Sequence, residues 1–151
     1  MSKNRPLVLY VLLILILFLA FGGLYRGTIL VKDPSGQLLQ LDIKFIQQTF
    51  FRNYLWPGVI LLIFNGLFPL FVSIGLIKGR WLLWPEKLNI FKTGKWPWAF
   101  SLYAGIILLA WIMIQLMIIG YIGILQVWLA IIGITILMLT LTPTIKNYFK
   151  K

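Results

Sequence analysis

The stretch WAFSLYAGIILLAWIMIQLMIIGYIGILQVWLAIIGITILMLTL, running from Trp98 to Leu141, contains no charged residue. As one helix it would extend about 66 Å at ~1.5 Å per residue, about twice the ~30 Å thickness of a bilayer's hydrocarbon core. The chain must therefore turn back on itself within it. Gly120, Gly123 and the polar Gln126 mark the reversal, giving one span over about residues 98–119 and another over about 126–142. Pro97 opens the first and Thr142-Pro143 closes the second. So short a connection makes these two helices antiparallel neighbours.

The remainder of the chain supplies two more spans. Thirteen Leu, Ile, Val or Phe residues fall between Leu7 and Phe21, together favouring insertion by on the order of 6 kcal/mol. We place the first span over about residues 7–25. Lys3, Arg5, the apolar run and the small residues Ala20 and Gly22 also resemble a cleavable signal peptide. The second span, about residues 56–77, begins at Trp56-Pro57, with an interfacial Trp and a proline at the first helical turn, where its missing N–H costs nothing. The sequence thus specifies an all-α integral membrane protein, a single domain built as a four-transmembrane-helix bundle.

Composition agrees with this class. Hydrophobic residues make up 61% of the 151 and charged residues 11%, more apolar surface than a soluble core can absorb. The net charge of +11 would suggest nucleic acid in a soluble protein. Here the basic residues lie in loops and tails beside apolar spans, where they contact anionic headgroups and set topology, so no nucleic-acid partner is expected. Ten of the fourteen Lys and Arg fall in the two tails and the loop of about residues 78–97, against four in the loop of about 26–55. The positive-inside rule then places both termini in the cytoplasm.

The loop of about 26–55 is the only sizeable segment on the outer side. Asp33-Pro34-Ser35-Gly36 is a turn sequence. Ile29 to Lys32 before it and Leu38 to Leu41 after it have the composition to pair as a hairpin. Asp42 can cap a short amphipathic helix carrying Ile43, Ile46 and Phe50 on one face, although the alternation from Leu39 to Phe45 also fits a strand. We expect a turn, a short extended piece and an interfacial helix over the bundle.

The chemistry available is sparse. There is no Cys and no His, and the only acids are Asp33, Asp42 and Glu86. A thiolate nucleophile, a neutral-pH proton shuttle and the commonest metal ligand are therefore excluded. No catalytic residue, metal site or cofactor is expected. Interior polar groups remain as binding candidates. Asn65 precedes Pro69 by four residues, so its carbonyl loses a helical hydrogen-bond donor and the span should kink there. Gln115 lies one turn past Trp111 on the same face, with Tyr121 and Gln126 near the following turn; a ring and an amide facing inward could hold the head of an amphipath. Each also has a purely structural reading, as a kink or an interhelical hydrogen bond. Gly66, Gly75, Gly105, Gly120 and Gly133, with Ser73 and Thr135, permit close helix approach.

Asp33-Pro34-Ser35-Gly36, Thr49 and Phe51 with Asn53-Tyr54 and Pro57-Gly58, then Gly105, Trp111-Ile112, Gln115, Ile119-Gly120 and Leu125-Gln126 together resemble a family of small bacterial four-span membrane proteins of uncharacterised function. The resemblance covers roughly Gly22 to Gly133 and departs at Phe50, where the family tends to carry Pro. It implies a four-helix membrane bundle whose outer turn-and-helix loop is retained in the mature protein, and it implies no activity.

Three functions are compatible with these residues. The first is a non-catalytic accessory, assembly or interaction subunit, either homo-oligomeric or bound to another membrane protein. The second is binding or transport of a lipid, quinone or other amphipath within the bundle, using Asn65, Trp111, Gln115, Tyr121 and Gln126. The third is a lipid-modifying enzyme, for which Tyr54, Lys44, Asp42 and Arg52 form the only plausible cluster.

Overall fold

The computed structural model describes residues 4–79 and 82–151. Lys3 and Arg80, which contribute to the charge asymmetry above, lie outside the described residues. Helix α1 spans Leu7–Lys32 and a short α2 spans Ile43–Gln47. Helix α3 runs over Leu55–Lys78, α4 over Trp96–Ile119, α5 over Ile124–Leu141, and a short α6 covers Pro143–Tyr148. Four of these, α1, α3, α4 and α5, are long and apolar enough to cross a membrane. Among the described residues the only β pairing is an isolated antiparallel bridge between Gly94 and Lys150.

Helix α1 is a full turn and more longer than the apolar count suggested, and the loop that follows it begins at Asp33. Ile29 to Lys32 therefore form its last turn, and the possible hairpin with Leu38 to Leu41 does not form. The cause is local. The Asp33 carboxylate accepts hydrogen bonds from the Ser35 hydroxyl and amide and, at 2.9 Å, from the Leu38 amide. These bonds wind residues 37–39 into a 3-10 turn instead of an extended strand. Asp42 then caps α2 as expected, accepting the Lys44 amide at 2.9 Å, so the alternation from Leu39 to Phe45 resolves into a cap and a helix.

Two apolar clusters hold the molecule, one at each end. Near the face that carries both termini, Leu12 and Ile16 of α1, Val72 and Leu76 of α3, Trp96 and Trp98 of α4, Ile136 of α5, and Ile145 and Phe149 are all buried in one core. The chain end is fastened there: the Lys95 amide donates to the Phe149 carbonyl and the Lys151 amide to that of Thr93. Arg5 donates to the Ile77 carbonyl at 2.8 Å, placing a cation on an unpaired helix C-terminus where the macrodipole favours it. At the opposite face, Leu30, Ile46 and Tyr54 form a smaller cluster with Leu39, Leu41 and Phe51.

Helices α1 and α3 make the most intimate contact. A Cβ on Gly27 would meet Leu62 at 2.7 Å, one on Gly58 would meet Leu30 at 2.6 Å, and one on Gly66 would meet the Leu24 amide at 2.9 Å. Gly23 and Gly27 are spaced as in small-xxx-small helix pairs, where the missing side chains let backbones touch and dispersion replaces the absent hydrophobic drive between helices in lipid. The outward faces are correspondingly apolar, with Phe18 61%, Met117 82% and Met138 67% exposed, which suits hydrocarbon and not water.

The kink expected at Pro69 takes a specific form. Residues 63–67 make one π turn, in which the Phe68 amide donates to the Ile63 carbonyl five residues back. The wider turn shifts the hydrogen-bond register just ahead of the residue that cannot donate. Ser73 then donates its hydroxyl to the Pro69 carbonyl at 2.9 Å.

Candidate functional site

The five binding candidates do not share one environment. Asn65 sits in the π turn with 1% of its surface exposed, and neither its Oδ1 nor its Nδ2 has a hydrogen-bond partner. Its backbone forms the contact with Gly23 of α1. A buried amide left unpaired costs about 1–3 kcal/mol.

Gln126 is also buried, but its amide is spent on the chain reversal. Its Oε1 accepts the Ile122 amide at 2.9 Å and its Nε2 donates to the Gly120 carbonyl at 3.4 Å. Gly120 itself has φ of +73°, a left-handed conformation that glycine adopts without strain. The residue that marked the turn in the sequence is thus the side chain that closes it. Tyr121 is 65% exposed on the same turn.

Trp111 is half-buried against the larger core, and Gln115, one turn further along α4, is half-buried as well. The Gln115 side chain hydrogen-bonds to no described residue. It stands among exposed neighbours: Met113, Ile114, Leu116, Met117 and Ile118 all face outward. Two open concave regions, of about 420 Å³ beside Phe50 to Trp56 and about 510 Å³ between α3 and α4, are lined by none of the five residues.

The acids are all occupied with structure. Asp33 makes the turn described above; the Ser35 hydroxyl, ahead of the Leu38 amide, holds its carboxyl below the ordinary range. Asp42 caps α2. Glu86 accepts from Asn89 at 2.8 Å and from the Trp96 amide at 3.3 Å, and pairs with Lys151 at 2.7 Å. Burial pushes the Glu86 carboxyl up, but the bonds from Lys151, Asn89 and Trp96 together hold it below its usual value. Tyr54 donates its hydroxyl to the Asp42 carbonyl at 2.8 Å, and its ring covers Gly36. Burial, and then the Asp42 charge, raise the Tyr54 pKa. Tyr54 is therefore the post on which the loop is hung, its hydroxyl engaged with the Asp42 carbonyl. Among the described residues no group of three or more His, Cys, Asp or Glu is placed to hold a metal ion.

Two features escaped the sequence reading. The glycine contact of Gly23, Gly27 and Gly58 was signalled by the Gly-x-x-x-Gly spacing at the end of α1. The aromatic wall of α3, built from Phe64, Phe68 and Phe71, was signalled by their spacing of three to four residues. Comparison of the chain with protein families, with curated proteins and with solved structures found no match.

Proposed function

We propose that this chain is a non-catalytic interaction subunit of the bacterial cytoplasmic membrane, with both termini in the cytoplasm, that binds another membrane-embedded protein chain or a second copy of itself. The observation that carries the reading is the exposed far half of the α4–α5 hairpin. From Met113 to Trp128 nearly every apolar side chain faces outward, with Gln126 alone buried. Within that surface Gln115 is an unpaired amide at membrane depth. Lipid covers the apolar side chains at no cost, but it offers nothing to the amide, whereas a neighbouring helix supplies a hydrogen bond of about 0.6 kcal/mol or more. The engagement of all three acids in local structure and the lack of Cys and His support a role without chemistry. The distribution of basic residues supports the orientation.

Site-specific photo-crosslinking in native membranes tests this. A photoreactive residue replacing Met117 is expected to give a discrete protein adduct, from a partner or a second copy, that weakens in Gln115→Leu. The same probe at Met138, also exposed but nearer the termini face, is expected to give only lipid. If Met117 also yields lipid alone, the reading fails.

A further inference from the structure

A groove of about 510 Å³ lies on the outer side of α3 and α4, within the range of about 300–1,000 Å³ typical of small-molecule sites. Phe64, Phe68 and Phe71 form one wall and Phe100, Tyr103 and Ile106 the other. The walls are braced: Phe71 stacks on Trp84 at 5.7 Å and on Trp96 at 5.1 Å, and Phe100 meets Tyr103 at 5.4 Å. The Tyr103 hydroxyl is tied to the loop, accepting from the Ile90 amide at 3.1 Å. Such a groove is preformed and does not have to be ordered by its occupant.

Its lining changes along its length. At the far end it is walled by the middle of two spans, and at the near end by Trp84, Leu88 and Ile90 of the loop between α3 and α4. It therefore runs from hydrocarbon depth to headgroup level. Lys87 and Lys92 are both exposed; Lys87 adjoins Leu88 in the sequence and Lys92 lies two residues past Ile90. The loop's one acid, Glu86, is already paired with Lys151, so the charge at the near end is positive. An apolar slot that ends at a basic rim matches one kind of bilayer molecule.

We infer that this groove is a binding site for an anionic phospholipid, with one acyl chain lying between Phe68 and Phe100 and the phosphate held at Lys87 and Lys92. A zwitterionic lipid fits the slot but gains nothing net from the rim. The site is separate from the Gln115 surface, and either can fail without the other.

Native mass spectrometry of the delipidated full chain in mild detergent, titrated with phosphatidylglycerol and with phosphatidylcholine of the same acyl chains, tests the inference. Phosphatidylglycerol is expected to bind about tenfold more tightly. The double change Lys87→Gln, Lys92→Gln is expected to erase that preference. Ile106→Trp, which fills the groove from an exposed position, and Leu88→Gln, which places an amide in its loop wall outside the spans, are each expected to weaken phosphatidylglycerol binding several-fold. Glycerol phosphate, a headgroup without a tail, is expected not to compete. Equal binding of the two lipids overturns the inference. So does phosphatidylglycerol binding that is unweakened in both groove variants, because the lysines would then be acting as a plain charged surface.

Discussion

Gly23 of α1 and Asn65 of α3 meet backbone to backbone: a Cβ built on Gly23 would lie 2.0 Å from the Asn65 carbonyl oxygen. That separation is far inside van der Waals contact, and the obstructing atom belongs to backbone, so no rotamer change relieves it. The adjacent Gly22 has nothing within 4 Å of its would-be Cβ. Gly23→Ala is therefore expected to pry α1 from α3 and cost about 1–3 kcal/mol. Gly22→Ala should be neutral or slightly stabilising, since Ala is the better helix former by up to about 1 kcal/mol. Thermal unfolding of the two variants in one detergent checks the contrast, and equal midpoints would show that the helices do not touch here.

Asn65 itself invites the opposite experiment. Its two polar side-chain atoms are buried without partners, so the folded state bears their desolvation. Asn65→Ala trades that cost against a small void, and stability should stay within about 1 kcal/mol of the parent protein. A loss of several kcal/mol would mean that the amide is bonded after all. Because Asn65 touches Gly23, the double variant with Gly23→Ala should depart from additivity, while Asn65→Ala with Gly22→Ala should not.

These two residues also show where the sequence was readable and where it was not. The four spans, their order and the reversal at Gly120 follow from apolar run length, since a continuous apolar run of this length satisfies its own backbone in lipid only as a helix, a barrel strand being shorter and alternating. Pro69 announced the irregularity in α3 because a missing donor is a local fact. The length of α1 was underestimated because Arg26 and Lys32 read as loop, yet a basic side chain at a helix end reaches the interface while its backbone stays helical. The short extended piece expected after Asp33 is a 3-10 turn instead, because the Asp33 carboxylate gathers the following amides, a geometry that spacing does not record. As for the binding candidates, their polar character was legible in the sequence but their partners were not. Gln126 turned out to be engaged within its own turn, whereas Asn65 and Gln115 have no partner among the described residues.

Gln126 provides the third prediction. Its amide bridges Ile122 and Gly120 across the α4–α5 turn, and both backbone groups lose that partner in Gln126→Leu. The cost should be about 1–3 kcal/mol. Faster hydrogen exchange at Ile122, with unchanged protection near Ile136, would locate the damage in the turn. Unchanged exchange at Ile122 would show that its amide has another acceptor.

Glu86 makes stability depend on pH. Its carboxyl is held below the ordinary value of 4.5, so it binds fewer protons folded than unfolded at mildly acidic pH. The stabilisation is therefore complete above the unfolded value and disappears as pH falls through the depressed folded one. Glu86→Gln keeps the shape but removes the charge that Lys151 and the Trp96 amide address, and should lower stability at neutral pH by about 1–2 kcal/mol. The difference between parent and variant should close as pH falls below 4.5 and through the depressed folded value. A gap that stays constant from neutral to acid would assign the effect to packing.

The absence of Cys from the chain makes the proposed orientation directly measurable, because any single introduced thiol is the only one present. Gln37 is exposed in the loop between α1 and α3, and Lys92 is exposed in the loop between α3 and α4. Four crossings place these loops on opposite sides of the membrane. On the proposed orientation, drawn from ten basic residues in the tails and the second loop against four in the first, Lys92 lies inside and Gln37 outside. In intact cells, a membrane-impermeant maleimide should label Gln37→Cys and leave Lys92→Cys unmodified until the membrane is opened. The reverse pattern would invert the topology. Labelling of both in intact cells would mean the chain inserts in two orientations, and a fixed partner surface at Gln115 would then be shared between the two leaflets.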